Sequence, residues 1–252
     1  MADDLVQLDS LNQRCTWKLG PDARQPPSAD DLAMLMLTPG STGNSKAVFI
    51  SNGQALASVS AKAAVRLLPK DKPFLNWIGL DHVAGLLEIH PQALYLGVDQ
   101  VHVAASDMVS SPLDFLRFKL LSHHQVSRTF APNFFLAALI AAEHQKRHRK
   151  ATYEPHWDLS NLFILGSGGE ANDTVAAVAV SELLQRHGPA DALLPGFGVT
   201  ETCAGCLYSK DCPAYDVVSS RQQVSLGEPT AGVEMRVIQR MGGRPLKRMK
   251  ET

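Results

Sequence analysis

Between the apolar segments 34–38 and 47–51, the run Pro39-Gly40-Ser41-Thr42-Gly43-Asn44-Ser45-Lys46 gathers two glycines, three hydroxyls and one lysine, with Thr38 just ahead of it. Glycines let a backbone approach a ligand closely, hydroxyls and amide N–H groups donate to phosphate oxygens, and a lysine adds a point charge. That is the chemistry of a polyphosphate-binding loop, although the same residues also suit a hydroxyl-rich turn between two strands. It is not a Walker A loop, which needs four residues between its glycines and a Gly-Lys-Ser/Thr ending. Three later segments also set polar or aromatic side chains next to glycine: WIGLDHVAGL (77–86) with His82, LGSGGEAN (165–172) with Gly168, Gly169 and Glu170, and GFGVTETCAG (196–205) with Phe197, Gly198, Thr200 and Glu201.

The elements that must position these residues read as short apolar runs alternating with longer amphipathic segments, the pattern of parallel strands connected by helices. Strands are predicted over 34–38, 47–51, 74–80, 98–105, 127–131, 162–167, 192–196 and 233–238. Helices are predicted over 53–68, 82–97, 112–123, onward from Pro132, and over 172–187. The fold class is therefore α/β, a doubly wound, mostly parallel sheet with flanking helices, in which ligands gather at the carboxyl ends of strands. Residues 1–31, polar and holding Pro21, Pro26 and Pro27, read as an arm or linker, and 239–252 as a basic tail without apolar periodicity.

Composition narrows the function classes. The 252 residues carry 24 Lys+Arg against 25 Asp+Glu, a net charge of −1, which gives no general attraction to nucleic acid or anionic membrane. The longest purely apolar run, Phe134 to Ala142, is nine residues, well short of the roughly 20 a membrane-spanning helix needs. The acidic, polar N-terminus does not read as a secretory signal, so a cytoplasmic location is expected. Cys203, Cys206 and Cys212 form a C-x2-C-x5-C pattern that suits either a metal site or reduced thiols in a loop or core. The basic patch 144–150 follows a helix, where cations complement the dipole.

The 38–46 string resembles the signature loop of the adenylate-forming (AMP-binding) superfamily, which includes acyl-CoA synthetases and peptide-synthetase adenylation domains. Its pattern is approximately Thr-Ser-Gly-Ser/Thr-Thr-Gly-x-Pro-Lys, matched at seven of nine positions, with Pro39 and Ser45 as the departures. The other segments follow in the family's order. His82 matches the residue flanking the bound carboxylate. Gly168, Gly169 and Glu170 match the strand end that lies against adenine, where a flat base can slide along a backbone without side chains. The 196–205 segment is similar to Tyr-Gly-x-Thr-Glu, with Phe197 in place of Tyr, and SLGEPTAGVEMRVI (225–238) to a structural strand. The match over 32–238 implies part of the large N-terminal lobe of an adenylate-forming enzyme, and its phrases look most like fungal synthetase-like or reductase-type adenylation domains.

The resemblance implies activation of a small-molecule carboxylic acid by ATP to an acyl-adenylate with pyrophosphate release, then transfer to the thiol of CoA or of a phosphopantetheine carrier protein. Thr38, Gly40, Ser41, Thr42, Gly43 and Lys46 would hold the β- and γ-phosphates, and Thr200 the α-phosphate. Glu201 would hold Mg2+, a hard cation that prefers carboxylate and phosphate oxygens. His82, Asn133, Phe134 and the Gly168 region are candidates for the acid pocket. The family's ribose-binding aspartate and its small lysine-bearing domain have no match before residue 252. Two expectations follow, an adenylating ligase or a catalytically incompetent piece serving as a nucleotide-binding or interaction module.

Overall fold

A computed structural model of the protein describes residues 27–38, 46–117, 121–148 and 157–236. Strands β1 (Leu32–Thr38) and β2 (Lys46–Ser51) pair antiparallel in a two-stranded sheet of their own, with Thr38 opposite Lys46. The general expectation of parallel strands joined by helices fails here because residues 39–45 are too few for a parallel crossover, which takes a dozen or more. Helix α1 (Asn52–Ala63) starts at once, through a reciprocal cap in which Gln54 N–H donates to Ser51 Oγ at 3.3 Å and Ser51 N–H to Gln54 Oε1 at 2.9 Å.

The main sheet has seven strands in the order β4 (Gln100–His102), β3 (Phe74–Asn76), β5 (Arg128–Phe130), β6 (Ile164–Ser167), β7 (Leu193–Val199), β8 (Ala204–Tyr208) and β9 (Glu228–Pro229). β4 through β7 run parallel, whereas β8 and β9 join antiparallel. This α/β sheet with flanking helices agrees with the expected fold class. Between β3 and β4 lie a π-helical segment (Ala84–Ile89) and α2 (His90–Leu96), which stops at left-handed Gly97. α3 (Ala105–Ser110), α4 (Pro112–Arg117) and α5 (Leu121–His124) lead to β5, and α6 (Asn133–His148) lies between β5 and β6. α7 (Thr174–His187), capped by Asp173, leads to β7, and α8 (Ala214–Val218) lies between β8 and β9.

Leu75, Phe135, Leu139, Leu165, Val180 and Leu193 form part of the main core, which locks α6 and α7 onto the strands. A second cluster joins Met36 and Ile50 of the hairpin to Leu87, Cys203 and Ala204. The strand expected over 233–238 is not formed at 233–236, and its remaining residues lie outside the described ones. Pairing in that region falls earlier, at β9, because Tyr208 and Leu207 meet Glu228 and Pro229.

A candidate active site at the strand ends

β3 runs next to β4 on one side, and the chain then crosses to β5 on the other, so sequence order reverses at β3. In open α/β sheets such a reversal leaves a crevice beyond the carboxyl ends of the strands. A cleft of about 470 Å³ occupies that place. Its walls come from Trp77, Ile78 and Gly79 after β3, Phe130 and Pro132 at the end of β5, Gly168–Glu170 after β6, and Gly196–Gly198 within β7.

Several residues proposed from sequence meet in this cleft. His82, Phe134, Gly168, Gly169, Glu170, Phe197 and Gly198 all line it. His82 Nδ1 accepts the Ala84 N–H at 3.1 Å, so the neutral ring carries its proton on Nε2 and keeps one donor. Glu170 accepts the Phe134 N–H at 2.8 Å, a carboxylate placed at the start of α6 where the dipole favours it. That bond ties the Gly168–Glu170 turn to α6 across the cleft. Gly168 is buried, and a Cβ there would meet the Gly196 carbonyl oxygen at 2.5 Å. Gly169 has φ of 83°, a conformation glycine adopts without cost. The result is a wall of bare backbone beside the half-exposed ring of Phe197, suited to a flat aromatic ligand.

Other expected residues stand outside the cleft. Thr200 and Glu201 form a 3-10 turn (Thr200–Thr202) directly after β7, with Glu201 exposed. Thr38 and Lys46 face each other at the end of the hairpin. Gly40, Ser41, Thr42 and Gly43 lie outside the described residues. The hairpin residues Met36 and Ile50 pack on Cys203 and Ala204, so the Thr38/Lys46 end and the Thr200–Thr202 turn are anchored to one cluster. Asn133 begins α6 but does not line the cleft.

A buried charge cluster forms the inner wall, and sequence reasoning missed it. Glu88, in the π-helical segment, lines the cleft. Its Oε1 accepts from Arg128 at 2.5 Å and from the Tyr208 hydroxyl at 2.6 Å. Its Oε2 accepts the Gly205 N–H at 3.1 Å and pairs with Lys62 Nζ at 3.5 Å. Burial alone would raise the Glu88 pKa, but the Lys62 and Arg128 charges, with the Tyr208 and Gly205 bonds, hold it below the ordinary value. Burial lowers the Lys62 pKa, opposed by Glu88 and assisted by Arg128. Tyr208 is pushed well above its usual range by burial and by the neighbouring carboxylate, so it stays a neutral phenol. The available signal was a single charge inside each of three otherwise uncharged stretches, at Lys62, Glu88 and Arg128, since buried charges must pair.

Cys203, Cys206 and Cys212 are free, buried thiols. Burial, with Asp216 nearby, pushes Cys212 up to about 12, which makes it an inert thiol. Among the described residues, no group of three or more His, Cys, Asp or Glu could hold a metal ion. A single carboxylate such as Glu201 still fits Mg2+, which is commonly bound by one or two carboxylates together with substrate phosphates.

The sequence model of the AMP-binding enzyme family matches residues 2–251. The chain belongs to this family. It is 49% identical over 229 residues to the nonribosomal peptide synthetase apvA of Aspergillus terreus, covering 90% of the chain and 24% of that protein. It is 47% identical over 212 residues to microperfuranone synthase of Emericella nidulans, covering 83% of the chain and 22% of that protein. The chain thus spans about a quarter of the length of these curated relatives. Among solved structures it is similar to McyG A-PCP complexed with phenylalanyl-adenylate (TM-score 0.79, 28% identity, 88% of this chain and 39% of that one). It is also similar to the adenylation domain of a keto acid-selecting module bound to keto acyl adenylate (TM-score 0.65, 28% identity, 74% and 32%). The expected family and the adenylation-domain fold are thereby established. No helix among the described residues is long and apolar enough to cross a membrane.

Proposed function

We propose that this protein contributes the acid- and nucleotide-binding part of an adenylating ligase. In the proposed reaction a carboxylate oxygen bonds to the α-phosphorus of ATP, the bond to the β-phosphate oxygen breaks, and pyrophosphate leaves. The thiol of CoA or of a phosphopantetheine carrier protein, either separate or in an adjoining synthase domain, then loses its proton and bonds to the acyl carbon, the acyl–phosphate C–O bond breaks, and AMP leaves. The carrying observation is the cleft at the strand-order reversal, where His82, the Gly168–Glu170 turn and Phe197–Gly198 converge beside the Thr200–Thr202 turn.

A carboxylate is already a nucleophile, so the protein's task is to position reactants and offset phosphate charge. The bare Gly168–Gly169 backbone and Phe197 would receive adenine, with Gly198 and Glu170 beside them. Thr38, Ser41, Thr42 and Lys46, with the backbone of Gly40 and Gly43, would hold the outer phosphates. Thr200 would donate to the α-phosphate, and Glu201 would hold Mg2+, which when bound neutralises phosphate charge. His82 and Phe134 would flank the acid. Residues 32–238 are proposed as the working core, between the arm and the tail.

Calorimetry of the full chain with MgATP tests this reading. The expected result is measurable binding, weakened by about tenfold or more in K46A and E201A, each of which removes a charge-assisted contact. No heat from a folded sample at millimolar MgATP would overturn it. Pyrophosphate release with a panel of carboxylic acids then separates a turning-over ligase from a nucleotide-binding module.

A further inference from the structure

The Thr200–Thr202 turn is followed by two non-glycine residues in the left-handed region, Cys203 at φ 57° and Ala204 at φ 72°. Side chains with a Cβ adopt this region reluctantly, and such conformations persist where the surroundings over-determine them. Here the surroundings are specific. Lys62, 1% exposed, donates from Nζ to the Cys203 carbonyl oxygen and, at 3.1 Å, to the Leu87 carbonyl oxygen. Ser58, one turn earlier on α1, donates from Oγ to the same Cys203 carbonyl at 3.3 Å. The Thr202 hydroxyl lies 2.8 Å from the Ala204 carbonyl, and Glu88 takes the Gly205 N–H at 3.1 Å.

We propose that Lys62 is a positioning residue, whose buried ammonium clamps the strained Cys203–Ala204 bend to the π-helical segment and so fixes the Thr200–Glu201 turn relative to the acid cleft. The position of the ammonium carries the idea. It bridges Leu87 and the cleft-lining Glu88 to Cys203, three residues past Thr200. α1 follows the hairpin directly, so the helix that carries Lys62 also continues the strand that begins at Lys46. Lys62 does not line the cleft, so its action on a ligand runs through the turn it holds. A methionine of similar length would fill the space and lose every one of these bonds, and an arginine would retain donors.

The nucleotide part of this proposal rests on the function proposed above, and the test separates the two. The full chain, K62M, K62R and S58A are compared by amide hydrogen exchange without nucleotide and by calorimetry with MgATP. Expected for K62M is faster exchange confined to 200–205 and MgATP affinity weaker by about tenfold or more, as suits loss of hydrogen bonds from a charged donor. S58A, losing one neutral donor, is expected to weaken affinity by about threefold, and K62R to recover part of the K62M loss. A residue that only adds to global stability would lower the thermal midpoint while leaving the affinity of the folded protein and the local exchange pattern unchanged, and that result overturns the clamp. If K62M does not fold, S58A decides, since unchanged exchange over 200–205 in S58A overturns the proposal. If wild-type protein gives no MgATP heat, the proposed function falls while the exchange comparison still judges Lys62.

Discussion

The Glu88 carboxylate accepts from Arg128 and Tyr208 on one oxygen and from Gly205 and Lys62 on the other, which uses about all four of its lone-pair positions. Although it lines the cleft, it has no acceptor capacity left for a ligand, so its role is to hold the wall together. Removing its charge in E88Q leaves two buried cations uncompensated, and the expected cost is about 3–5 kcal/mol in urea unfolding at pH 7. The pH dependence follows from the lowered pKa. A carboxyl more acidic in the folded than in the unfolded protein contributes stability that is present above the ordinary value of 4.5 and is lost as pH falls through the folded value. The gap between wild type and E88Q should therefore narrow below pH 4.5, and a gap independent of pH would contradict this origin. The sequence carried half of this information. Lone charges in otherwise uncharged runs at Lys62, Glu88 and Arg128 were visible, but the partners lie 40 and 120 residues from Glu88, separations that no local pattern encodes.

Elements were legible where their periodicity was local. The strands around β3, β5 and β6 and the helices that became α1, α6 and α7 follow from apolar runs and caps, and the reversal at β3 turns them into a cleft. β8 was not legible, because Ala204-Gly205-Cys206-Leu207-Tyr208 has small residues where strand patterns need bulky ones. Its pairing to β7 depends on the bend at Cys203 and Ala204, a tertiary feature. The spacing of β6 and β7 supplies a test at this scale. G168A sets a methyl 2.5 Å from the Gly196 carbonyl oxygen, closer than real contacts, with backbone on the opposing side. The two strand ends must part, so the thermal midpoint should fall and the wall proposed to receive adenine should be blocked. Scanning calorimetry and MgATP titration of G168A check both. Unchanged nucleotide binding would show that the ligand does not lie against Gly168.

Across the whole molecule, the hairpin is the component furthest from what its sequence suggested. Its strands are apolar on both faces, which reads as a strand buried in a parallel sheet. Met36 and Ile50 are indeed buried, but Leu35, Leu37 and Phe49 are 52%, 70% and 68% exposed on the other side. The hairpin is thus joined to the rest of the described protein mainly through α1 and the cluster of Met36, Ile50, Leu87, Cys203 and Ala204. A nucleotide held between Lys46 on this hairpin and Thr200 on the main sheet would add a second bridge between them. Because such a ligand binds only when the two are assembled, it stabilises the folded state by mass action, by about 2.7 kcal/mol at a hundredfold excess over Kd. The expected outcome is a concentration-dependent rise in the thermal midpoint with MgATP. That rise should shrink with MgAMP, which lacks the phosphates proposed for Lys46, and when Mg2+ is withheld, which removes the cation proposed for Glu201. Equal shifts with MgATP and MgAMP would mean that the hairpin takes no part in holding the nucleotide, and would confine binding to the cleft between β3 and β7.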